Sequence, residues 1–307
     1  MQERCSMYRN WRRKMTNADL LLGCHLSIGK GFAGAIDAAE ALGINALQIF
    51  SHNARSWKIR SIPAETAALF QRRREASTIR YIVIHTMYLI NLASPEEAIY
   101  RRSIDSLRAE TVAAGILGID YINTHIGSHK GSSIKTGIAR AVAALDEVIA
   151  SPEFHNYNNV RILLENTAGT GTTIGTTFSE LGRIINSLDD SSRVGICFDS
   201  CHGFAAGYEL RTATGLNQTL EELDELVGIE RLQLIHLNDS RYPLAARRDR
   251  HQHIGQGEIG EQGFRLLVND HRLRHLPFIL ETPKEIDGKP HADQINLQTI
   301  RRLRTNR

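Results

Sequence analysis

Apolar and polar positions follow a regular pattern from Leu20 onward. Runs of four to six mostly apolar residues are each followed by a longer segment with amphipathic spacing. Short apolar runs of this kind are typical of the buried strands of a parallel sheet. The predicted strands are Leu20–His25, Ala46–Phe50, Tyr81–His85, Tyr121–His125, Arg161–Glu165, Val194–Asp199, Leu232–His236 and Phe278–Glu281.

The segments between the strands predict helices. Apolar residues recur there every three or four positions, which puts them on one helical face, as for Phe178, Leu181, Ile185 and Leu188. Gly43, Gly115 and Gly228 are candidates to end helices. Eight strand–helix units without a Gly/Ser/Pro-rich linker between them predict a single-domain α/β fold, the (β/α)8 TIM barrel.

The composition is that of a folded globular chain. Of 307 residues, 42% are hydrophobic, and the formal net charge is only +3, which excludes a mainly disordered protein. No apolar stretch approaches the roughly 18 residues of a membrane-spanning helix, so we expect no membrane partner. The four cysteines form no Cys-x-x-Cys pair and predict reduced thiols. We therefore expect a cytoplasmic, nucleoid-associated protein, or an organellar or nuclear one in a eukaryote.

Residues 1–19 differ from the rest of the chain. They carry five Lys and Arg residues against Glu3 and Asp19, and they show no sustained apolar period. This predicts a basic, disordered extension at 1–19, followed by a barrel domain at 20–307. An organelle transit peptide is the alternative interpretation, because acid-poor basic leaders look similar.

Besides the first strand, which ends at His25, six of the eight predicted strands end on a side chain that can bind a metal ion. In a parallel barrel the carboxyl ends of all strands open at the same mouth, so these six groups should converge. Buried carboxylates and imidazoles are costly to desolvate unless a cation pairs with them. The six strand-end residues are His85, His125, Glu165, Asp199, His236 and Glu281.

Two further segments add donors to this ring. His202 follows the strand that ends at Asp199, and an Asp249-Arg-His251 segment follows the seventh strand. At about three protein ligands for each catalytic metal, the nine donors would serve about three ions. Imidazole and carboxylate donors suit Zn²⁺, with Mn²⁺ or Fe²⁺ as alternatives. Four carboxylates against three divalent ions leave a charge of about +2, which favours an anionic substrate such as a phosphodiester.

Seven motifs in this order resemble those of the endonuclease IV family of apurinic/apyrimidinic (AP) endonucleases. The resemblance extends from about Leu20 to Leu303. One such motif would be weak support, whereas seven in register are specific. The motifs are HTMYLINL at 85–92, NTHIGSH at 123–129, ENTAGTG at 165–171, DSCHGFAAGY at 199–208, HLND at 236–239, DRH at 249–251 and LET at 280–282.

The resemblance implies a hydrolase of base excision repair that uses three zinc ions. Such an enzyme cleaves the phosphodiester 5′ to an abasic site in DNA and leaves a 3′-hydroxyl and a 5′-deoxyribose phosphate. Glu165 would bridge two of the ions and, as the catalytic residue, orient the attacking hydroxide. The implied zinc ligands are His85, His125 and Glu165 for the first ion, Glu165, Asp199, His236 and Glu281 for the second, and His202, Asp249 and His251 for the third.

The resemblance also implies that double-stranded DNA with abasic sites is the partner, and we expect a monomeric enzyme. Two loops, after the second and third strands, should enter the damaged duplex from its minor groove. The DNA-binding candidates in these loops are Asn53, Arg55, Tyr88 and Leu89. Candidates for salt-sensitive phosphate contacts are Arg247, Arg248 and Arg250.

Two other functions remain open at this level. A sugar isomerase or epimerase would use the same barrel with His, Asp and Glu at its mouth, but such sites hold one or two ions and lack the Asp249-Arg-His251 segment. A non-catalytic damaged-DNA-binding protein would retain an abasic duplex without nicking it.

Six histidines outside the nine donors are interpreted without a metal-binding role. His25, at the end of the first strand, is either a partner that orients a metal ligand or a hydrogen-bonded core residue. Residues interpreted as lying on the surface are His52, His155, His271, His275 and His291. Cys197 is interpreted as a thiol of the barrel core.

Overall fold

The computed structural model of the chain describes residues 20–286 and 288–305. The predicted basic extension, 1–19, lies outside the described residues. Within the described ranges, every helix is too short or too polar to cross a membrane.

Eight parallel strands of the described residues close into a barrel, which confirms the predicted TIM-barrel fold and its single domain. The strands are β1 Leu22–His25, β2 Ala46–Phe50, β3 Tyr81–His85, β4 Tyr121–His125, β5 Arg161–Glu165, β6 Val194–Asp199, β7 Leu232–His236, β8 Asp239–Ser240, β9 His251–Gln252 and β10 Phe278–Leu280. Around the barrel the order is β1-β10-β7-β6-β5-β4-β3-β2, and β8 and β9 form a separate antiparallel pair.

Helices alternate with the barrel strands. Their apolar faces pack on the outer side of the barrel and form the larger of two buried clusters. The helices are α1 Gly31–Ala41, α2 Ala64–Glu75, α3 Glu97–Leu117, α4 Ile134–Ile149, α5 Pro152–Asn156, α6 Phe178–Asn186, α7 Ser200–Ala206, α8 Ala213–Leu226, α9 Gly260–Asn269 and α10 Ala292–Leu303, with a 3₁₀ turn at Ile229–Arg231.

The strand predictions are confirmed almost to the residue. Two ends differ, because β1 begins at Leu22 and β10 ends at Leu280. Glu281 therefore follows its strand instead of ending it. Its main-chain N–H donates to Oδ1 of Asn238 at 2.7 Å, so a side chain replaces the strand partner there.

One predicted helix end is wrong. Gly115 lies inside α3, which continues to Leu117 and ends at Gly118 in the left-handed conformation, with φ of 69°. The ring of Tyr157 packs so closely on Gly115 that any side chain at this position would collide with it. Gly115 therefore serves close packing of the segment after α5 and does not end the helix.

The interior of the barrel is filled by a second, smaller buried cluster, which lies below the mouth and supports the residues there. A side chain at Gly23 in β1 would collide with the carbonyl of Ala46, so this glycine allows the close approach of β1 and β2. The cluster includes the predicted core thiol of Cys197, and its members are Ala46, Tyr81, Val83, Leu163, Cys197, Leu234 and Ile279.

Candidate metal centre

The nine predicted donors meet at the carboxyl ends of the barrel strands. Their ligand atoms fall into three groups in which all atoms lie within 4.8 Å of one another. Two of the groups share Glu165. The groups are His85, His125 and Glu165; Glu165, Asp199, His236 and Glu281; and His202, Asp249 and His251.

Glu165 lies at the centre of the arrangement and is fully buried. Its Oε2 is 3.4 Å from Nε2 of His85 and 3.8 Å from Nε2 of His125. Its Oε1 faces the other way, 3.2 Å from Nδ1 of His236. Each carboxylate oxygen thus faces a different group of donors, which is the geometry of a bridging ligand.

His236 lies among the carboxylates of the second group. Its Nδ1 is 3.1 Å from Oε2 of Glu281 and 3.8 Å from Oδ2 of Asp199. Both His236 and Asp199 are completely buried, and they end the neighbouring strands β7 and β6. Desolvated acidic groups this close together require positive charge, from protons or from metal ions.

Asp199 also determines where His202 lies. Asp199 is the N-cap of α7, and its Oδ1 accepts a hydrogen bond from the main-chain N–H of His202 at 2.8 Å. The cap starts the helix directly at the barrel mouth. His202, on the first turn, is therefore buried beside the strand ends instead of pointing to solvent.

The loop between β8 and β9 supplies Asp249 of the third group, and His251 begins β9. Asp249 lies 3.4 Å from Nε2 of His202 and 3.5 Å from Nε2 of His251. The loop is tied to α7, because the main-chain N–H groups of Ala245 and Arg247 donate to carbonyls at its end. Asp249 is half-exposed, so this group lies at the open side of the centre.

Main-chain carbonyls orient three of the candidate ligand histidines. Nδ1 of His85 is 2.7 Å from the carbonyl of Thr86, and Nδ1 of His202 is 3.0 Å from that of Asn166. Nδ1 of His251 lies 3.1 Å from a third carbonyl. A carbonyl can only accept, so Nδ1 carries the hydrogen and Nε2 is left to bind a metal.

The titration behaviour of the centre fits metal binding. Burial acts to raise the pKa of Glu165, but His125 and His236 outweigh it and hold that pKa well below its usual range. Burial acts to lower the pKa of His202, but Asp199, Asp249 and Glu165 together outweigh it and raise that pKa well above the ordinary value. Divalent cations can replace protons held in this way.

One atom of the third group supports the same conclusion. Nε2 of His251 is buried and has no hydrogen-bond partner among the described residues. It points toward carboxylate oxygens of Asp199 and Asp249 at 3.8 and 3.5 Å, beyond hydrogen-bond distance. A cation between these atoms would satisfy all three, so the residues present fit a metal ion.

A groove of about 940 Å³ opens beside the third group. Tyr88 is 60% exposed at its wall, and Leu89 next to it is half-buried. Tyr88 packs edge-on against Phe50, with ring centroids 5.4 Å apart. The groove is lined by two of the four DNA-binding candidates, Tyr88 and Leu89, and by His125, His202 and Asp249 of the centre.

The other two candidates, Asn53 and Arg55, are exposed on the neighbouring loop and do not line the groove. Oδ1 of Asn53 accepts from the main-chain N–H of Arg55, which shapes a tight turn. This loop is joined to the Tyr88 loop, because the main-chain N–H of Tyr88 donates to the carbonyl of Ala54 at 3.0 Å. The two predicted loops therefore form one continuous rim.

Several residues that line the groove are not among the sequence candidates, and the larger ones include Trp57, Lys130 and Tyr242. The guanidinium of Arg248, a predicted phosphate contact, lies over the ring of Tyr242 with its carbon 4.8 Å from the centroid. Trp57 lies two residues after Arg55 in the same predicted DNA-binding loop, so its position next to a candidate could have identified it. Lys130 and Tyr242 lie in loops with no pattern that distinguishes them from solvent-exposed residues.

The interpretation of His52 as a surface residue is wrong. Its side chain is 5% exposed, with Nδ1 2.6 Å from Oγ of Ser51 and 3.6 Å from a carboxylate oxygen of Glu110. Its Nε2 lies 3.2 Å from the carbonyl of Arg60. Glu110, on the buried side of α3, faces the imidazole, so His52 joins the loop after β2 to this helix and, through the carbonyl of Arg60, joins the two ends of that loop.

His25 lies beside the centre. Its Nδ1 is 3.8 Å from Oε1 of Glu281 and 3.0 Å from the amide nitrogen of Gln48. This geometry agrees with both interpretations, because the imidazole is hydrogen-bonded to Gln48 and lies next to a candidate metal ligand. The other histidines interpreted as surface residues, His155, His271, His275 and His291, are exposed as predicted.

Comparisons with known proteins agree with this architecture. The chain matches the family model described as a xylose isomerase-like TIM barrel over residues 36–305. The "Probable endonuclease 4" of Halothermothrix orenii is 41% identical over 276 residues, which are 90% of this chain and 98% of that protein. The crystal structure of endonuclease IV from Thermus thermophilus is 37% identical, with 92% of this chain and 98% of that chain covered and a TM-score of 0.79.

A solved D-tagatose 3-epimerase-like protein is 18% identical, with 92% of this chain and 96% of that chain covered and a TM-score of 0.68. That likeness shows the fold alone. The barrel and its ring of donors thus define a xylose isomerase-like TIM barrel with a candidate metal centre. Within this class, the chain belongs to the endonuclease IV family, which confirms the resemblance of its motifs.

Proposed function

We propose that the protein is a zinc-dependent AP endonuclease of base excision repair. It hydrolyses the phosphodiester 5′ to an abasic site in double-stranded DNA and leaves a 3′-hydroxyl and a 5′-deoxyribose phosphate. The observation that carries the proposal is the arrangement of nine donors in three groups, two of which share Glu165. Membership in the endonuclease IV family supports DNA as the substrate.

Each of the three groups fits one zinc ion, since each offers imidazole and carboxylate donors without a required thiolate. Bound zinc would lower the pKa of a coordinated water to near neutrality and neutralise the charge that develops on the leaving oxygen. The proposed ligands are His85, His125 and Glu165; Glu165, Asp199, His236 and Glu281; and His202, Asp249 and His251.

Glu165 is the catalytic residue of the proposal. Its Oε2 accepts a hydrogen bond from the amide of Asn123 at 2.5 Å, so the orientation of the carboxylate is fixed before substrate binds. From the middle of the centre, Glu165 can orient the attacking water toward the phosphorus atom. A separate Lys or Tyr base is therefore not required.

The rim formed by the loops that carry Arg55 and Tyr88 fits recognition of the gap that a missing base leaves in a duplex. Tyr88 is a large, exposed aromatic side chain backed by Phe50, so it can enter the minor groove without losing its position. Leu89 adds an apolar surface, and Arg55 can contact the strand from the adjoining loop. An abasic sugar extruded from the stack would then reach the metal centre along the groove.

The loop that carries Asp249 separates this proposal from a sugar isomerase. Asp249 and His251 extend the centre outward, toward a groove that is also lined by Lys130 and Arg248. A small sugar needs no such extension. A sugar-phosphate backbone does, because the phosphates on either side of the abasic nucleotide require cationic partners.

The test compares three substrates with protein prepared in the presence of Zn²⁺. They are a duplex with one tetrahydrofuran abasic site, the same duplex without the site, and a panel of ketoses. We expect nicking of the abasic duplex alone. Ketose conversion without nicking would support a sugar isomerase instead, and tight retention of the abasic duplex without nicking would support a damage-binding protein.

A further inference from the structure

Gln48 is a fully buried amide in the middle of β2. Its side chain crosses the barrel toward β10, which is separated from β2 by β1, and toward β7, which lies one strand further on. Oε1 of Gln48 lies 2.8 Å from Nε2 of His236. The amide nitrogen lies 2.5 Å from Oε1 of Glu281 and 3.0 Å from Nδ1 of His25. One side chain therefore contacts two candidate ligands of the same group.

These contacts allow only one orientation of the amide. The carboxylate of Glu281 can only accept, so it must face the NH₂ end of Gln48. The carbonyl end then faces Nε2 of His236, which must carry a hydrogen to donate to it. Nδ1 of His25 takes the second hydrogen of the NH₂ group. A flipped amide would set its oxygen against the carboxylate oxygen of Glu281, and neither of these atoms can donate.

The consequence concerns which nitrogen of His236 is free. With Nε2 committed to Gln48, Nδ1 is the nitrogen whose hydrogen a metal ion can replace, and Nδ1 is the atom that faces Glu165 and Glu281 at 3.2 and 3.1 Å. His85, His202 and His251 have the opposite arrangement, because main-chain carbonyls hold their Nδ1 atoms. For His236 the same task falls to a side chain, which a substitution can remove.

We propose that Gln48 is a positioning residue that makes Nδ1 the metal-binding nitrogen of His236 and turns Oε2 of Glu281 toward the same ion. This inference rests on the proposed function, since it assigns a role within the proposed metal centre. Gln48 does not bind the metal or touch the substrate. It acts through the two ligands that it orients, as hydrogen-bond partners of metal ligands commonly do.

The test replaces Gln48 by methionine, which has a similar length but cannot hold either ligand by hydrogen bonds. We expect one of the bound zinc ions to be held about 10- to 100-fold more weakly, with the others unchanged. Zinc per chain is measured over a series of buffered free zinc concentrations. Gln71→Met is the matched control, because Gln71 donates to the carbonyl of Ile116 in the helical layer, away from the centre.

If Gln48 serves packing alone, the melting temperature of Gln48→Met should fall by the same amount with and without zinc. The variant should then bind every zinc ion as tightly as the unaltered protein does. That result would overturn the proposal. On abasic duplex we expect kcat to fall and KM to stay within about twofold, because the groove is untouched. If the unaltered protein binds zinc but does not nick DNA, the proposed function fails, while the zinc series still tests Gln48.

A second measurement needs no variant and so does not depend on folding of one. In zinc-loaded protein labelled with ¹⁵N-histidine, NMR reports which ring nitrogen carries hydrogen and which binds metal. We expect hydrogen on Nε2 and zinc on Nδ1 of His236, and the reverse pattern for His85, His202 and His251. Zinc on Nε2 of His236 would contradict the assignment.

Discussion

Oε1 of Glu165 lies 3.2 Å from Nδ1 of His236, although the two residues are 71 positions apart in the chain. They end β5 and β7, and β6 lies between these strands in the barrel. Only side chains that point inward from the same end of a closed barrel can meet in this way. The contact therefore joins the first two donor groups into one centre, which the proposed chemistry requires.

Glu165→Gln should abolish most cleavage while the protein still binds abasic duplex. The substitution removes the bridging charge and the group that orients the attacking water, and we expect kcat to fall by about 10³-fold or more. Cleavage assays and gel shifts measure the two effects. Glu147→Gln, on the outer surface of α4, is the control and should cleave normally. Cleavage by Glu165→Gln at the unaltered rate would count against the mechanism.

Arg55→Ala should raise the apparent KM on abasic duplex by roughly tenfold, equivalent to about 1.4 kcal/mol of binding free energy. Arg55 is exposed on the rim and lies outside the three donor groups, so zinc content should not change. Arg102→Ala, exposed on α3, is the matched control. An unchanged KM would remove Arg55 from recognition, and a loss of zinc would show that it acts on the centre.

His52 should stabilise the protein more at low pH than at high pH. Burial acts to lower the pKa of His52, but Glu110 outweighs it, and the pKa is raised above its ordinary value near 6.5. A group with a raised folded-state pKa contributes its full stabilisation below the unfolded pKa, and the contribution is lost as pH rises through the folded pKa.

The measurement is the free energy of unfolding of the unaltered protein and of His52→Gln at several pH values from 5.5 to 8.5. The difference between the two proteins should be largest at pH 5.5 and should shrink as pH rises. Comparison at the same pH cancels the titration of groups that both proteins share. A difference that grows with pH would mean that His52 is held in its neutral form.

Elemental analysis should find close to three zinc ions per chain. Because the donors are buried and acidic, removal of zinc should also lower the melting temperature, since a ligand that binds only the folded state stabilises it. Re-addition of zinc should restore both values. A single tightly bound ion would mean that the assignment of the donors to three groups is wrong.

The features that the sequence predicts well are those with a local cause. Each barrel strand is a short apolar run between turns, so β3 and β5 begin and end where predicted. The candidate donors follow because a polar group that ends an apolar run, such as His85 or Asp199, has few structural explanations. Topology then brings these groups together without further information.

The features that it does not predict depend on contacts between distant elements. Gln48 is a polar residue within a strand, and only the closed barrel shows that it reaches His236, 188 positions away. His52, in the loop after β2, is buried because it packs against Glu110 of the distant helix α3. Gly115 is the predicted helix end, and only the structure shows that it packs under the ring of Tyr157 while Gly118 ends the helix.

The most direct test of the account maps the ends of the product before and after zinc is removed by slow chelation. The substrate is a duplex with one tetrahydrofuran site. We predict a single cut 5′ to the site that leaves an extendable 3′-hydroxyl. This cleavage should be lost on chelation and recovered when Zn²⁺ is added back. A cut on the 3′ side of the site, or one that persists once the protein holds no metal, would contradict it.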